Sequence, residues 1–110
     1  MNKLNQVVIE GTVYGKPTMK EEKYKTVCSM RVKYERYYKI GEKDAVETSF
    51  FTVKTFGELA ESVYNLAHNG RGVRIVGRLK MERCRIETEG ETEEVVCILC
   101  EHAEFFNDVL

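Results

Sequence analysis

Apolar and polar residues alternate with a period of two over most of the chain, which indicates half-buried β-strands. In residues 4–14, Val7, Ile9 and Val13 alternate with polar side chains, and Gly11 predicts a bend or bulge. The segment Gly15-Lys16-Pro17 predicts the end of this first strand. The charged residues 20–25 that follow predict a turn or short loop.

Two further strands are predicted over residues 27–35 and 48–56, separated by a polar loop at 41–44. The second strand has a basic outer edge, and its inward positions are Cys28, Met30, Val32 and Tyr34. In the third strand, Phe51 and Val53 are predicted to point into the core. Its outward positions are Phe50, Thr52, Lys54 and Phe56.

Residues 57–69 change to a helical period and predict a helix of about three turns. Its apolar stripe is Leu59, Val63, Leu66 and Ala67, and Asn69-Gly70 supply residues that tolerate a left-handed C-cap. Residues 71–81 return to strict alternation, with Arg74, Arg78 and Lys80 outward. The inward positions of this fourth strand are Val73, Ile75, Leu79 and Met81. A polar hairpin tip at 87–93, around Gly90, and an apolar fifth strand at 95–105 complete the pattern.

Three strands, one helix and two strands follow each other in the order of an oligonucleotide-binding (OB) barrel. Two glycine positions within strands suit the bends that a small closed barrel requires. The sequence therefore predicts an all-β, five-stranded OB-fold Greek-key barrel with one short α-helix between strands 3 and 4. With 110 residues, one proline and no linker or repeat, the chain is predicted to be a single domain over residues 1–110, with 107–110 frayed.

The composition and the distribution of charge limit the classes of function that the sequence predicts. No apolar run is long enough for a membrane helix, and the first residues lack a secretory signal, so a cytoplasmic location is predicted. Residues 1–85 contain all 17 Lys and Arg and 10 acidic residues, whereas residues 86–110 contain 8 acidic and no basic residues. This polarity fits a surface for an anionic partner. Cross-strand ion pairs between the last strand and the basic strand before it explain the acidic residues equally well.

Two segments carry a family resemblance. Residues Phe50-Phe51-Thr52-Val53-Lys54-Thr55-Phe56-Gly57-Glu58-Leu59-Ala60-Glu61 and Gly70-Arg71-Gly72-Val73-Arg74-Ile75-Val76-Gly77-Arg78-Leu79 are similar to the bacterial single-stranded DNA-binding protein family. The opening Asn5-Gln6-Val7-Val8-Ile9-Glu10-Gly11-Thr12-Val13 and the later residues 92–96 fit the same pattern. The resemblance implies non-sequence-specific binding and coating of single-stranded DNA in replication, recombination or repair. It also implies a homotetramer, or a homodimer as in the related replication-restart proteins that share the barrel.

The predicted surface supports this function, because non-specific binding of a single strand requires cations for phosphates and flat rings for bases. The predicted phosphate contacts are Arg31, Lys33, Lys54, Arg74, Arg78 and Lys80. The resemblance implies that Phe50, Phe56 and Tyr38, or Tyr37 in its place, stack bases. The alternative for the two phenylalanines is a place in the core or in a subunit interface.

The chain departs from the family in two places. An aromatic position in the hairpin after strand four is Cys84 here, and the chain has no Trp, which implies weaker stacking or a shorter footprint. The chain also stops after strand five without an acidic tail, as in a specialised paralogue, a phage or plasmid member, or a primosomal restart-type module acting mainly through protein partners. Val8 and its neighbours, on the exposed edge of strand one, are the predicted subunit contact. RNA remains a compatible ligand.

Metal and catalytic sites are not predicted. Cys97-x-x-Cys100 has a metal-ligand spacing, but residues three apart on a strand point to opposite faces. This spacing therefore predicts no metal site, and no cofactor is predicted. The four cysteines are too few and too irregularly spaced for a disulfide framework, so reduced thiols that act as small buried hydrophobes are predicted. His68 and His102 belong to no visible arrangement of nucleophile, base and orienting residue, so the protein is predicted not to be an enzyme.

Overall fold

The chain forms long antiparallel strands and one helix in the predicted order. A computed structural model describes residues 1–85 and 92–107. The elements are β1 (Val7–Glu22), β2 (Lys25–Ile40), β3 (Lys43–Phe56), α1 (Glu58–Leu66), β4 (Gly72–Arg85) and β5 (Thr92–Phe105). The predicted tip of the last hairpin, around Gly90, and the predicted frayed end beyond Asn107 lie outside the described residues.

The strands close into a barrel in the order β1-β2-β3-β5-β4. The first half of β1 pairs with β4, and its second half pairs with β2, so that Thr12 faces Lys33 on one side and Gly72 on the other. A short parallel pairing, Val53 with Ile98 and Lys54 with Leu99, joins β3 to β5 and completes the closure. This architecture confirms the predicted five-stranded OB-fold barrel with a helix between β3 and β4.

Glycine allows the backbone to pack closely where the barrel bends. At Gly11, near the point where β1 changes partners, a Cβ atom would collide with the carbonyl oxygen of Lys33. At Gly77, beside the register shift between β4 and β5, a Cβ atom would collide with the carbonyl oxygen of Leu99. Glycine at position 11 is therefore required by the close approach of β1 to β2, whereas the register shift of β1 lies further along, between Tyr14 and Thr18.

The predicted end of β1 at Gly15-Lys16-Pro17 is wrong. The strand continues to Glu22, and its register with β2 shifts between Tyr14 and Thr18. Gly15 adopts a φ of 80°, which favours glycine, and its N–H donates to the Asn69 side chain at 2.8 Å. The turn itself is confined to Lys23 and Tyr24, which both have positive φ. Gly and Pro mark bulges as well as turns, and here they mark an irregular strand.

The core contains the inward residues of all five strands and one side of α1. Val63 and Ala67 are buried as predicted, together with Ala60, but Leu66 is exposed. The predicted left-handed cap at Asn69-Gly70 is also wrong, because the helix ends at Leu66 and Ala67 is extended (φ −80°, ψ 124°). Gly70, with φ 93°, belongs to the turn before β4.

The hairpin of β4 and β5 is longer than the core is deep. Val73 and Ile75 are fully buried, as predicted, whereas Leu79 and Met81 are exposed. Pairing between these strands nevertheless continues to Arg85 and Thr92. Leu79 lies opposite the buried Ile98 at the margin of the core, and Met81 lies beyond it, opposite the exposed Val96. In the described part of the chain, α1, with nine residues, is too short to cross a membrane.

Candidate nucleic-acid interface

The strand register brings most of the predicted cations and rings onto one outer face of the barrel. Tyr14 of β1 lies opposite Arg31 of β2, and Lys33 lies opposite Phe50 of β3. Lys54 is next to Leu99, which in turn lies opposite Arg78. We call this surface the basic–aromatic face, and it consists of Tyr14, Arg31, Lys33, Phe50, Lys54, Phe56, Arg78 and Lys80.

Phe50 lies among an aromatic ring and a cation. Its side chain is 42% exposed, and the Arg31 guanidinium carbon lies 4.9 Å from the ring centroid. The Tyr14 ring meets it edge to face, with centroids 4.8 Å apart and planes at 64°. This geometry holds the ring in place while leaving part of its surface accessible.

Phe56 lies between two lysines at the other end of the face. The Nζ atoms of Lys25 and Lys80 lie 5.9 and 6.0 Å from its centroid. The ring is half-buried and does not belong to the buried core, and neither does Phe50. A base stacked on either ring would therefore have a cation close enough for one of its phosphates.

Some of the predicted phosphate-binding side chains form ion pairs with carboxylates. Glu82, whose side chain is 22% exposed, lies 4.0 Å from Lys54 Nζ and 3.4 Å from Lys80 Nζ. Glu35 lies 3.4 Å from Lys33 Nζ. Arg31 and Arg78, by contrast, have no carboxylate partner among the described residues. These two arginines are therefore the cations of the face most available to phosphates.

Arg74 lies apart from the basic–aromatic face. It pairs with Glu10 of β1 at 2.7 Å and with Glu104 of β5 at 3.5 Å, in a row that crosses the β1–β4–β5 part of the barrel. Arg83 and Glu94 form a second ion pair between β4 and β5, at 3.8 Å. Cross-strand pairing, the second explanation for the acidic residues of the last strand, therefore applies to Glu94 and Glu104.

The two tyrosines considered for base stacking lie on opposite faces of the β2–β3 hairpin. Tyr37, 75% exposed, is on the same side as Glu35, and its hydroxyl donates to that carboxylate at 3.2 Å. Tyr38 lies on the other side, with the Arg36 guanidinium carbon 5.1 Å from its ring. The strand alternation therefore continues the basic–aromatic face through Tyr37 rather than through Tyr38.

Two residues that contact the predicted stacking rings were not predicted from the sequence. Tyr14 contacts Phe50, and Lys25 lies over Phe56. Tyr14 had a usable signal, because the alternation that puts Val13 inward also puts its neighbour outward. Lys25 fell within the predicted loop, and only the extension of β2 to this residue brings it to Phe56.

The described thiols are buried rather than arranged around a ligand. Burial raises the pKa of Cys28, an effect partly offset by a hydrogen bond from Thr55. Burial likewise raises the pKa of Cys100 to about 11. Cys97 lies opposite Lys80, whereas Cys100 lies opposite Gly77 on the other side of β5. Among the described residues, no group of three or more His, Cys, Asp or Glu side chains is placed to hold a metal ion.

Comparison with known proteins agrees with this fold. A small single-stranded DNA-binding protein from Streptomyces coelicolor superposes with a TM-score of 0.74 at 23% identity, over 94% of each chain. A deletion mutant of the single-stranded DNA binding protein from Thermus aquaticus gives 0.76 at 20% identity, over 94% of this chain and 51% of that one. The Plasmodium falciparum SSB in complex with ssDNA gives 0.77 at 13% identity, over 96% and 95% of the two chains.

At the level of sequence, no curated protein matches the chain. The model of the Single-strand binding protein family matches residues 4–106, nearly the whole chain. Members of this family are non-enzymatic proteins that bind single-stranded DNA. The chain belongs to the single-strand binding protein family.

Proposed function

We propose that this protein coats single-stranded DNA through its basic–aromatic face, without sequence specificity, in replication, recombination or repair. Membership of the single-strand binding protein family supports single-stranded DNA as the ligand. The observation that supports the site is the pair of accessible rings, Phe50 and Phe56, each with a cation within 6.0 Å of its centroid. Every base has a π-face, so such a platform accepts any sequence. The protein acts by binding and catalyses no reaction.

Phosphates contact the cations that flank the rings. Arg31 and Arg78 are the first of these contacts, since they have no carboxylate to displace among the described residues. Lys33, Lys54 and Lys80 contribute after their contacts with Glu35 and Glu82 rearrange. We leave Arg74 and Tyr38 out of the proposed path, because Arg74 is paired with Glu10 and Tyr38 lies beside Arg36 on the other side of the β2–β3 hairpin.

Fluorescence anisotropy of labelled oligo-dT of increasing length tests the proposal, at low and moderate salt. Steep weakening with salt and a gain with length are the expected results. Phe50→Ala and Phe56→Ala should each weaken binding by roughly 5- to 100-fold, the range for loss of one stacked base, while the oligomer stays intact. Absence of binding at low salt by the folded protein would contradict the proposal and favour the restart-type module that acts through protein partners.

Association of the subunits is proposed along the first half of β1. Among the described residues, Val7 to Gly11 pair with β4 alone, and Val8 is exposed. A free strand edge favours pairing with a second copy. Light scattering of Val8→Lys against the unmodified chain tests this placement. A lower mass for the variant is expected, and an unchanged mass would contradict it.

A further inference from the structure

We propose that Tyr14 and the groove beside it form a nucleobase subsite, which extends the DNA path from β3 across β2 to β1. This inference rests on the proposed function and adds a contact that neither the sequence motifs nor the predicted site includes. It starts from the irregular stretch of β1. The register with β2 shifts between Tyr14 and Thr18, so that the residues between them leave the regular ladder.

The shift opens a surface groove of about 340 Å³ directly beside the Tyr14 ring. Its lining residues are Tyr14, Gly15, Lys16, Thr18, Ser29, Met30 and Arg31. This volume lies at the lower end of the range of small-ligand sites, which is about 300–1,000 Å³. The groove is a surface feature that opens to solvent, so a base can reach it from outside.

The groove offers the three kinds of contact that a nucleotide needs. The Tyr14 ring, 48% exposed, is a stacking surface, and its 64° angle to Phe50 means that the two rings do not stack on one another. The hydroxyl groups of Thr18 and Ser29 both donate and accept hydrogen bonds, so they suit the edges of different bases. The cations Lys16 and Arg31 border the groove and suit the phosphates on either side.

Arg31 connects the subsite to the rest of the face. Its guanidinium carbon lies 5.9 Å from the Tyr14 centroid and 4.9 Å from the Phe50 centroid. One cation therefore serves the phosphate between a base on Phe50 and a base on Tyr14. The bound DNA would run from Phe56 past Phe50 and leave the barrel over β1.

Oligo-dT binding by Tyr14→Leu and Tyr14→Phe tests the subsite, with Tyr24→Leu as the matched control. Tyr24 is fully exposed in the β1–β2 turn and contacts no ring of the face. Tyr14→Leu should weaken binding of long oligonucleotides about 10-fold, within the range for one stacked base. Oligonucleotides too short to reach β1 should show a clearly smaller loss, because for them Tyr14→Leu removes only the edge-to-face contact that supports Phe50. Tyr14→Phe and Tyr24→Leu should bind normally at every length.

A ring that only supports Phe50 would give a different result. In a Phe50→Leu background, a base subsite predicts a further loss of similar size on adding Tyr14→Leu, whereas no further loss would overturn the proposal. Photocrosslinking of iododeoxyuridine-containing oligonucleotides to the unmodified protein is independent of any variant. A crosslink in the peptide that contains Tyr14 supports the subsite, and crosslinks confined to other peptides overturn it.

The same experiments separate this inference from the proposed function. Normal binding by Tyr14→Leu, together with weak binding by Phe56→Ala, would remove the subsite and leave the DNA-coating function in place. No binding by the unmodified protein at low salt would remove both.

Discussion

The side chain of Asn5 and the backbone of Leu79 form a reciprocal pair of hydrogen bonds. The Asn5 amide donates to the Leu79 carbonyl, and the Leu79 N–H donates to Asn5 Oδ1, both at 2.9 Å. Asn5 lies just before β1, so its side chain continues the pairing of β1 with β4 beyond the last backbone partners, Val7 and Gly77. An amide group is suited to this role because it supplies one donor and one acceptor.

Replacing Asn5 should loosen this end of the barrel. Asn5→Ala removes both hydrogen bonds and should lower the free energy of unfolding by about 1 kcal/mol, since exposed bonds of this kind contribute little each. Asn5→Asp keeps only the hydrogen-bond acceptor, so its free energy of unfolding should lie between those of the unmodified protein and Asn5→Ala. Urea unfolding measures the change, with Asn2→Ala as the control. Equal stability of all four proteins would mean that the pair is not maintained in solution.

The salt dependence of DNA binding should distinguish Arg78 from Arg74. Arg78→Ala removes a cation of the basic–aromatic face and should reduce the slope of log K against log salt by about 0.7, the value for one phosphate contact with a single strand. Arg74→Ala should leave the slope unchanged, because Glu10 and Glu104 already neutralise this side chain away from the face. Anisotropy titrations at four salt concentrations provide both slopes. The opposite pattern would place the DNA on the β1–β4–β5 side of the barrel.

Removal of the Glu82 charge should strengthen DNA binding. This carboxylate forms ion pairs with both Lys54 and Lys80, so Glu82→Gln frees two cations of the proposed site at once. The gain should be roughly 2- to 5-fold at low salt, the scale of a partly exposed ion pair, and should vanish at high salt. Glu94→Gln removes the same charge from an exposed pair with Arg83 and serves as the control. Weaker binding by Glu82→Gln would show that the carboxylate orders the lysines instead of competing with DNA.

The buried Cys100 thiol should make the barrel sensitive to alkali. Its pKa is raised by burial from 9.0 to about 11, so the unfolded chain loses this proton at a lower pH than the folded one. The contribution of this thiol to stability is therefore fully present below pH 9 and is lost as the pH rises from about 9 to about 11, by a total on the order of 3 kcal/mol. Cys100→Ala should lack this part of the decline when unfolding is followed across the same range. Parallel curves for the two proteins would contradict the assignment.

Alternation along the strands predicted most of the core and the exposure of Phe50. Val32, Val53 and Ile75 are buried and Phe50 is exposed, because a period of two leaves little freedom once one side faces the core. The same rule overestimated the burial of Leu79, whose side of the strand was correct. Its cross-strand partner Ile98 is buried in the core, but Leu79 itself lies at the margin and is 48% exposed. Periodicity describes direction and says nothing about depth.

The candidate site was less predictable than the fold. Whether a Lys or Arg side chain is neutralised by a carboxylate depends on which strands become neighbours. Nothing in the local sequence connects Lys54 to Glu82, and the two meet only because β3 and β4 both border β5. Arg74 and Arg78 likewise occupy equivalent positions in the alternation, yet only Arg74 lies between two carboxylates. Pairing across distant strands therefore decides which cations remain available.

The division of β1 between two partners also constrains the order in which the barrel assembles. The β2–β3 hairpin is closed by the two-residue turn between Ile40 and Lys43 and can form from neighbouring sequence alone. The first half of β1, by contrast, has to wait for β4, and the parallel contact of Val53 with Ile98 has to wait for β5. During synthesis we therefore expect β1 to remain half paired until β4 has emerged, and we expect closure of the barrel to follow formation of the local hairpins.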